Sequence, residues 1–223
     1  KWRWLMKFFS YFDSLSNKEY QYRKKYFYEG GSPNLLDYFI NYISLRIEEI
    51  EAIYVVWYLY NNVKLNSFLK GISKKGIKIV VISIPLEGYD KKFPSNIYNA
   101  DNSIFSNAVT KYDIAKQIYD DPYKGLENFR LYEFPHTFVR SKSMKVFSRG
   151  DLPYSLHTKS IYIHYKSAKR GLLLSSSNFA MRDKTKEENM IILETESKDE
   201  IKEILPMYNF LKDMSKHIRP MQD

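Results

Sequence analysis

The stretch HTKSIYIHYKSAKRGLLLSSSN, residues 157–178, decides the architecture predicted for this chain. Residues 157–165 and 171–175 are rich in Ile, Leu and Tyr and flank a basic turn, which predicts two neighbouring strands. Side chains of a strand alternate between its two faces, so His157 and Lys159 are expected on one face at the beginning of the first strand. The turn that carries Ser176 and Asn178 follows the second strand, and it is expected at the same end of the sheet.

The sequence on either side of this stretch alternates between helical and strand patterns. Helices are predicted at residues 34–47, 65–76, 111–119 and 198–217, the last of them interrupted at Pro206. Strands are predicted at residues 53–60, 77–84, 129–134 and 190–194. This order predicts an α/β fold with a mixed, largely parallel central sheet flanked by helices.

The break Gly-Gly-Ser-Pro at residues 30–33 marks the expected domain boundary. Residues 1–33 are interpreted as an N-terminal extension, helical in part, and residues 34–223 as one catalytic domain. A chain of 223 residues with 44% hydrophobic content suits one such domain with an appended segment.

Five residues of the second half form a candidate catalytic set: His157, Lys159, Ser176, Asn178 and Glu188. Cleavage of a phosphodiester needs a nitrogen nucleophile, a fixed positive charge and neutral donors around the phosphate oxygens. A lone histidine on a strand is more often a packing or surface residue, and S-S-S-N alone is an ordinary turn. The set in this order, on consistent elements, favours a catalytic site.

The pattern H-x-K, then S-x-N, then a glutamate before a strand resembles the phospholipase D superfamily. It comprises residues 157–159, residues 176–178 and the segment ENMIIL at residues 188–193. The order of elements from about residue 34 to residue 217 is also similar to one half-domain of that superfamily.

The resemblance implies a role for each residue. His157 would be the nucleophile that forms a phosphohistidine, or the general acid that protonates the leaving oxygen. Lys159 and Asn178 would hold the phosphate oxygens, Ser176 would be an auxiliary donor, and Glu188 would orient the imidazole. No metal and no cofactor is implied.

Two positions depart from the pattern of the superfamily. The aspartate expected five residues after the lysine is His164, and the glycine before the motif serine is Ser175. Side-chain alternation predicts that His164 faces away from His157.

The chain contains one H-x-K segment, whereas the superfamily's mechanism uses two histidines. A symmetric homodimer with one active site across the twofold axis is therefore expected, because such a contact brings identical residues together. A missing part of a longer polypeptide is the alternative source of the second half.

Single-copy members of the superfamily include nucleases, so the resemblance, together with the net charge, implies nucleic acid as substrate, DNA rather than RNA. The formal net charge is +9, and Lys166, Lys169 and Arg170 are predicted to bind a phosphate backbone beside the site. The alternative interpretation is that these three cations belong to a solvent-exposed turn and do not bind substrate. The chain has no cysteine, which excludes thiol catalysis and is compatible with a reducing compartment, so the cytoplasm is the expected location.

Two other functions remain open at this stage. A phospholipid hydrolase or phosphatidyltransferase is one, since the aromatic N-terminus with Trp2, Trp4, Phe8 and Phe9 could be a helix on a membrane surface. The other is a degenerate superfamily member that serves as a non-catalytic binding module, for which the missing aspartate is the support.

Overall fold

A computed structural model describes residues 5–11, 35–89, 111–120, 126–134, 156–179, 188–197 and 204–218. Eight strands form one sheet in the order β1-β7-β6-β5-β2-β3-β4-β8. In chain order, strands β1 to β8 comprise Leu5–Tyr11, Ile50–Trp57, Lys78–Ser83, Phe129–Glu133, Lys159–Tyr165, Arg170–Ser175, Glu188–Thr195 and Lys216–Ile218. Helices α1 to α4 comprise Leu35–Ser44, Val63–Ser73, Lys111–Asp120 and Ile204–Asp213.

The predicted mixed α/β architecture is confirmed, with a smaller parallel part than expected. Only β2, β3 and β4 run parallel to one another among the described strands. The other five neighbouring pairs are antiparallel. Part of the reason is that residues 166–169 join β5 to β6 as a short turn, and such a turn connects antiparallel neighbours, whereas parallel neighbours need a longer crossover.

Helix α2 connects the first two parallel strands and has clear start and stop signals. The side chain of Asn62 caps its N-terminus by accepting a hydrogen bond from the backbone N–H of Leu65 at 2.9 Å. Gly76 follows the helix with a φ of +91°, a left-handed conformation that costs glycine little. The chain then enters β3.

Two strands lie where the sequence predicted helix or no element. Strand β1 lies within the segment expected to be partly helical, and it pairs along its whole length with β7. Strand β8 contains His217, which was expected in the last turn of a helix; the ring of His217 instead packs against Tyr132 at 4.9 Å between centroids. Residues 12–34 and 198–203, which belong to the same two predicted segments, lie outside the described residues.

Pro206 lies within helix α4, which the structure describes from Ile204 to Asp213. The residues that precede the helix, 198–203, lie outside the described residues. The interruption of a longer helix at this proline therefore stays a prediction.

Aromatic side chains pack on both faces of the sheet. On the face toward α1, Phe179 stacks on Trp57 at 4.6 Å and on Phe39 at 6.2 Å between ring centroids. On the face toward α4, the hydroxyl of Tyr208 donates to Ser160 Oγ at 2.7 Å. Both layers hold the beginning of β5 in place, which is where the candidate site lies.

Candidate active site

The H-x-K segment lies at the end of the sheet where strand β2 ends and β5 begins. Lys159, the first residue of β5, pairs with Trp57, the last residue of β2. The backbone N–H of Tyr58 donates to the carbonyl of Thr158 at 3.0 Å. His157 is therefore held at the carboxyl end of the parallel strands, the end at which α/β sheets commonly bind ligands.

The imidazole of His157 is exposed on one side and covered by an aromatic ring on the other. Its ring centroid lies 4.9 Å from that of Tyr58, with an angle of 44° between the planes. Partial burial, and then the positive charge of Lys159, lower the pKa of His157. The neutral imidazole, which is the nucleophilic form, is consequently favoured at neutral pH.

The side chain of Lys159 is almost fully buried and turns toward the same place. Its Nζ donates to the carbonyl of His157 at 3.1 Å and lies 5.6 Å from the centroid of the Tyr58 ring. The side chain is only 8% exposed. An ammonium group and an imidazole thus share one aromatic neighbour, which brings the two predicted residues together.

The Ser176–Asn178 turn reaches the same end of the sheet from strand β6. Because β5 and β6 are antiparallel, the segment after Ser175 lies beside the segment before Lys159. The backbone N–H of Asn189 donates to Ser176 Oγ at 2.9 Å, and the N–H of Ser176 donates to the Asn189 carbonyl at 3.0 Å. Ser176 Oγ thus accepts a hydrogen bond from the backbone of β7, which ties this turn to the beginning of that strand.

Asn178 has an unused polar atom. Its Oδ1 is buried and makes no hydrogen bond among the described residues. The next residue, Phe179, has a φ of +54°, which is costly for a residue with a side chain. The backbone N–H of Phe179 donates a hydrogen bond to Ser177 Oγ at 2.8 Å. A strained backbone persists only where the surrounding structure holds it in place, and such residues cluster at functional sites.

Glu188 is the first residue of β7, and its backbone pairs with Tyr11 of β1. It precedes Asn189, which is bonded to Ser176, so the backbone of Glu188 lies at the same end of the sheet as the other four residues. Its carboxylate lies outside what the structure describes. The orienting role of Glu188 therefore stays a prediction.

Three residues at this end were missed by the sequence reasoning. Tyr58 contacts both His157 and Lys159. Trp57 Nε1 and Asn61 Oδ1, like Asn178 Oδ1, are buried without a hydrogen bond among the described residues. The signal available was position alone: all three residues follow or end a buried strand, at the end where parallel strands present their ligand-binding residues.

The predicted nucleic-acid-binding cations do not lie beside the site. Lys166 and Lys169 lie in the turn after β5 and Arg170 is the first residue of β6, whereas His157 precedes β5. A strand of seven residues spans roughly 23 Å at about 3.3 Å per residue. The prediction that they lie beside the site is wrong, because β5 starts at the site and the turn that follows it lies at the opposite end of the sheet.

Two of these cations are also engaged within the fold. Lys169 Nζ lies 2.8 Å from the buried Glu194 Oε1, and the guanidinium of Arg170 donates to the carbonyls of Tyr165, Ser167 and Lys169. Lys166 is exposed.

His164 faces away from His157, as strand alternation predicts. Its ring lies 6.3 Å from that of Tyr162, on the face toward α4. Its Nε2 lies 3.9 Å from a carboxylate oxygen of Glu51. Burial and the charge of Arg170 lower the pKa of His164. The histidine at the position of the superfamily's aspartate thus lies outside the candidate site.

Within the described ranges, there is no group of three or more His, Cys, Asp or Glu residues that could hold a metal ion. No helix in the described part of the chain is long and apolar enough to cross a membrane.

Comparison with known proteins identifies the fold. No protein-family profile and no curated protein matches the sequence, but solved structures do. NucT from Helicobacter pylori is 14% identical with a TM-score of 0.52, and the match covers 96% of this chain and 99% of that one. Nuc from Salmonella typhimurium, a phospholipase D family member, is 13% identical with a TM-score of 0.52, over 97% and 99% of the two chains.

A third matching structure belongs to a protein that is longer than this chain. Phosphatidylserine synthase from Haemophilus influenzae Rd KW20 is 8% identical with a TM-score of 0.54, and the match covers 97% of this chain but 40% of that one. The chain is thus a mixed α/β protein of the architecture found in these structures. More particularly, its fold is that of Nuc, a phospholipase D family member, and this agrees with the fold that the sequence resemblance implies.

Proposed function

We propose that this protein is a metal-independent phosphodiesterase that cleaves nucleic acid, with DNA as the first expected substrate. The observation that carries the proposal is the meeting of His157, Lys159 and the Ser176–Asn178 turn at one end of the sheet. The superfamily fold supports a phosphodiester as the bond that is broken. The net charge of +9 supports a polyanionic substrate.

In the proposed reaction, a neutral His157 attacks phosphorus and forms a nitrogen–phosphorus bond while the bond from phosphorus to the leaving oxygen breaks. A second histidine, charged, gives its proton to that oxygen. The same histidine, now neutral, takes a proton from water, which attacks phosphorus and releases His157. Lys159, Asn178 and Ser176 would stabilise the charge on the non-bridging oxygens, and Glu188 would orient the imidazole.

The second histidine would come from a second copy of the chain. Among the described residues, His164 faces away and His217 lies on β8, separated from β5 by three strands. A homodimer with one shared site supplies the missing imidazole at the twofold axis.

The first experiment compares the wild type with His157→Ala on labelled single-stranded DNA, double-stranded DNA and RNA, each with and without EDTA. His164→Ala is the matched control, because it removes a histidine of strand β5 that faces away from the site. We expect cleavage that persists in EDTA, is lost in His157→Ala and is kept in His164→Ala. A radiolabelled phosphoenzyme trapped by rapid quenching at alkaline pH would be absent from His157→Ala. Activity that survives in His157→Ala would contradict the proposal.

The shared site is tested by mixing. The wild type and His157→Ala are refolded together at increasing proportions of the variant, so that mixed dimers form with a single His157. Loss of activity that follows the square of the wild-type fraction supports one site per dimer, whereas a linear loss, or an active monomer on sizing, contradicts it.

A phosphatidyl hydrolase or transferase is the second candidate, supported by the structural match to phosphatidylserine synthase. The membrane-surface helix suggested by the sequence is not present at Phe8 and Phe9, because residues Leu5–Tyr11 form strand β1. Anionic phospholipid vesicles belong in the same assay. Release of headgroup without cleavage of any nucleic acid would favour the lipid enzyme, and binding of DNA without cleavage of any substrate would favour the non-catalytic module.

A further inference from the structure

The ring of Tyr58 contacts both of the side chains on which the proposed chemistry depends, His157 and Lys159. It covers one face of the His157 imidazole at 4.9 Å between centroids, and the ammonium of Lys159 lies 5.6 Å from the same ring. The backbone of Tyr58 is tied to the H-x-K segment as well, through the hydrogen bond from its N–H to the Thr158 carbonyl. Neither residue can shift on its own without losing a contact with this ring.

The backbone of Tyr58 is held in place by its neighbour in the sequence. It directly follows Trp57, which is fully buried and stacked on Phe179. The Trp57 pairing with Lys159 fixes the register of the two strands at this point. The ring of Tyr58 is thus anchored from the β2 side, while the imidazole and the ammonium approach it from β5.

The geometry points to Tyr58 as a positioning residue that holds the His157 imidazole and the Lys159 ammonium in their relative orientation for attack on phosphorus. This inference rests on the proposed function, since it assigns the nucleophile to His157. It adds a residue that the H-x-K pattern does not contain and that lies about a hundred positions earlier in the chain.

Two physical effects follow from the contact. An aromatic face attracts a nearby cation, so the ring favours one position of the Lys159 ammonium. The ring also excludes water from one side of the imidazole, and partial burial is the leading cause of the lowered pKa of His157. Removing the ring should therefore disorder the nucleophile and change its titration.

The test uses Tyr58→Phe and Tyr58→Leu in the full chain. Tyr132→Leu is the matched control, because Tyr132 packs against His217 at the same centroid distance of 4.9 Å but on strand β4, away from the site. Each variant is first checked for cooperative thermal unfolding. The pKa of His157 is then measured by NMR titration, with the resonance assigned from His157→Ala, and kcat and KM are measured on the DNA substrate.

We expect Tyr58→Leu to raise the pKa of His157 toward the ordinary value of an imidazole and to lower kcat by about 10- to 100-fold, with a smaller change in KM. Tyr58→Phe keeps the ring and should keep both properties, and Tyr132→Leu should change neither. An unchanged pKa of His157 in a folded Tyr58→Leu variant would overturn the inference, as would a defect in KM alone, which would indicate a substrate contact instead. If Tyr58→Leu does not fold, Tyr58→His, which keeps a flat ring, and Tyr58→Met, which does not, are compared by the same measurements.

The outcomes separate this inference from the proposed function. The NMR titration needs no enzymatic activity, so a shift of the pKa tests the contact even if no substrate is cleaved. Conversely, cleavage that is lost in His157→Ala but unchanged in Tyr58→Leu would leave the proposed function standing and remove the role of Tyr58.

Discussion

The Lys169 ammonium lies 2.8 Å from the Glu194 carboxylate, at the end of the sheet away from His157. The hydroxyl of Tyr165 donates to the same carboxylate oxygen at 2.8 Å, and the hydroxyl of Tyr42 also bonds to it. A cation that the sequence suggests for nucleic acid thus completes a buried network. Lys169 therefore has a structural role at one end of the sheet, and the proposed chemistry lies at the other end.

Replacing Glu194 should destabilise the protein in a pH-dependent way. Burial alone would raise the pKa of Glu194, but hydrogen bonds from Lys169, Tyr42 and Tyr165 outweigh it and hold the pKa below the usual value. The folded state then binds this proton less tightly than the unfolded chain does. The carboxylate therefore stabilises the fold above the pKa of a free glutamate, about 4.3, and the contribution is lost as pH falls.

We expect Glu194→Gln to lower the free energy of unfolding by about 3 kcal/mol at neutral pH, because charged partners lose their counter-ion in a buried place. Urea unfolding at pH 7 and pH 4 measures the effect, which should be smaller at the lower pH. Glu196→Gln, an exposed position two residues on, serves as control and should unfold like the wild type. Equal stability of Glu194→Gln at pH 7 would contradict the prediction.

Phe179 should reverse the usual order of alanine and glycine. Its φ of +54° is unfavourable for any residue with a Cβ. Both Phe179→Ala and Phe179→Gly lose the ring stacked on Trp57, at a cost of about 3 to 5 kcal/mol. Glycine relieves the backbone, so Phe179→Gly should be the more stable of the two by about 1 kcal/mol. Thermal unfolding of both variants decides the matter, and a more stable alanine variant would refute this account of the turn.

Two glycines at helix α2 should respond oppositely to alanine. Gly76 has a φ of +91°, so Gly76→Ala introduces strain and should destabilise by about 1 kcal/mol. Gly71 lies inside the helix with open space around its Cα, so Gly71→Ala should stabilise by about 0.5 to 1 kcal/mol. Denaturant unfolding of the two variants provides the comparison, each being the control for the other.

Lys166 should influence binding only when the substrate is long. It is exposed and lies one strand length from His157, roughly 23 Å, which corresponds to about 7 base pairs of duplex. We expect Lys166→Gln to weaken binding of a 20-base-pair duplex and to reduce its salt dependence by about one ion. A duplex too short to reach the turn should bind as it does to the wild type. Equal weakening for both lengths would show that this geometry is not how DNA lies on the protein.

The elements with long regular patterns could be predicted from the sequence. Helices α1 and α2 and strands β2 and β3 lie within a few residues of their predicted bounds, because buried strands and amphipathic helices carry strong signals. Strand β8 has only three residues, too few for a periodic pattern. The rest of the sheet order depends on which strands meet in space, and composition does not encode that.

The candidate site likewise contains residues that could be predicted from the sequence and residues that could not. The residues within the two motifs could be found because their spacing is local. Tyr58 could not, because its contact with His157 joins segments that are distant in sequence. The positive φ of Phe179 could not be predicted either, since a phenylalanine gives no sign of a left-handed backbone.

Strand β1 pairs with β7 from Leu5 opposite Glu194 to Tyr11 opposite Glu188, and this ladder has a practical consequence. A fragment cut at the predicted boundary, beginning at residue 34, would expose a row of unsatisfied amide and carbonyl groups along β7. Such an open edge recruits strands from other molecules, so the shortened protein should aggregate where the full chain does not. The same cut would free the backbone of Glu188, so a shortened protein that stayed in solution should still have a loosened site.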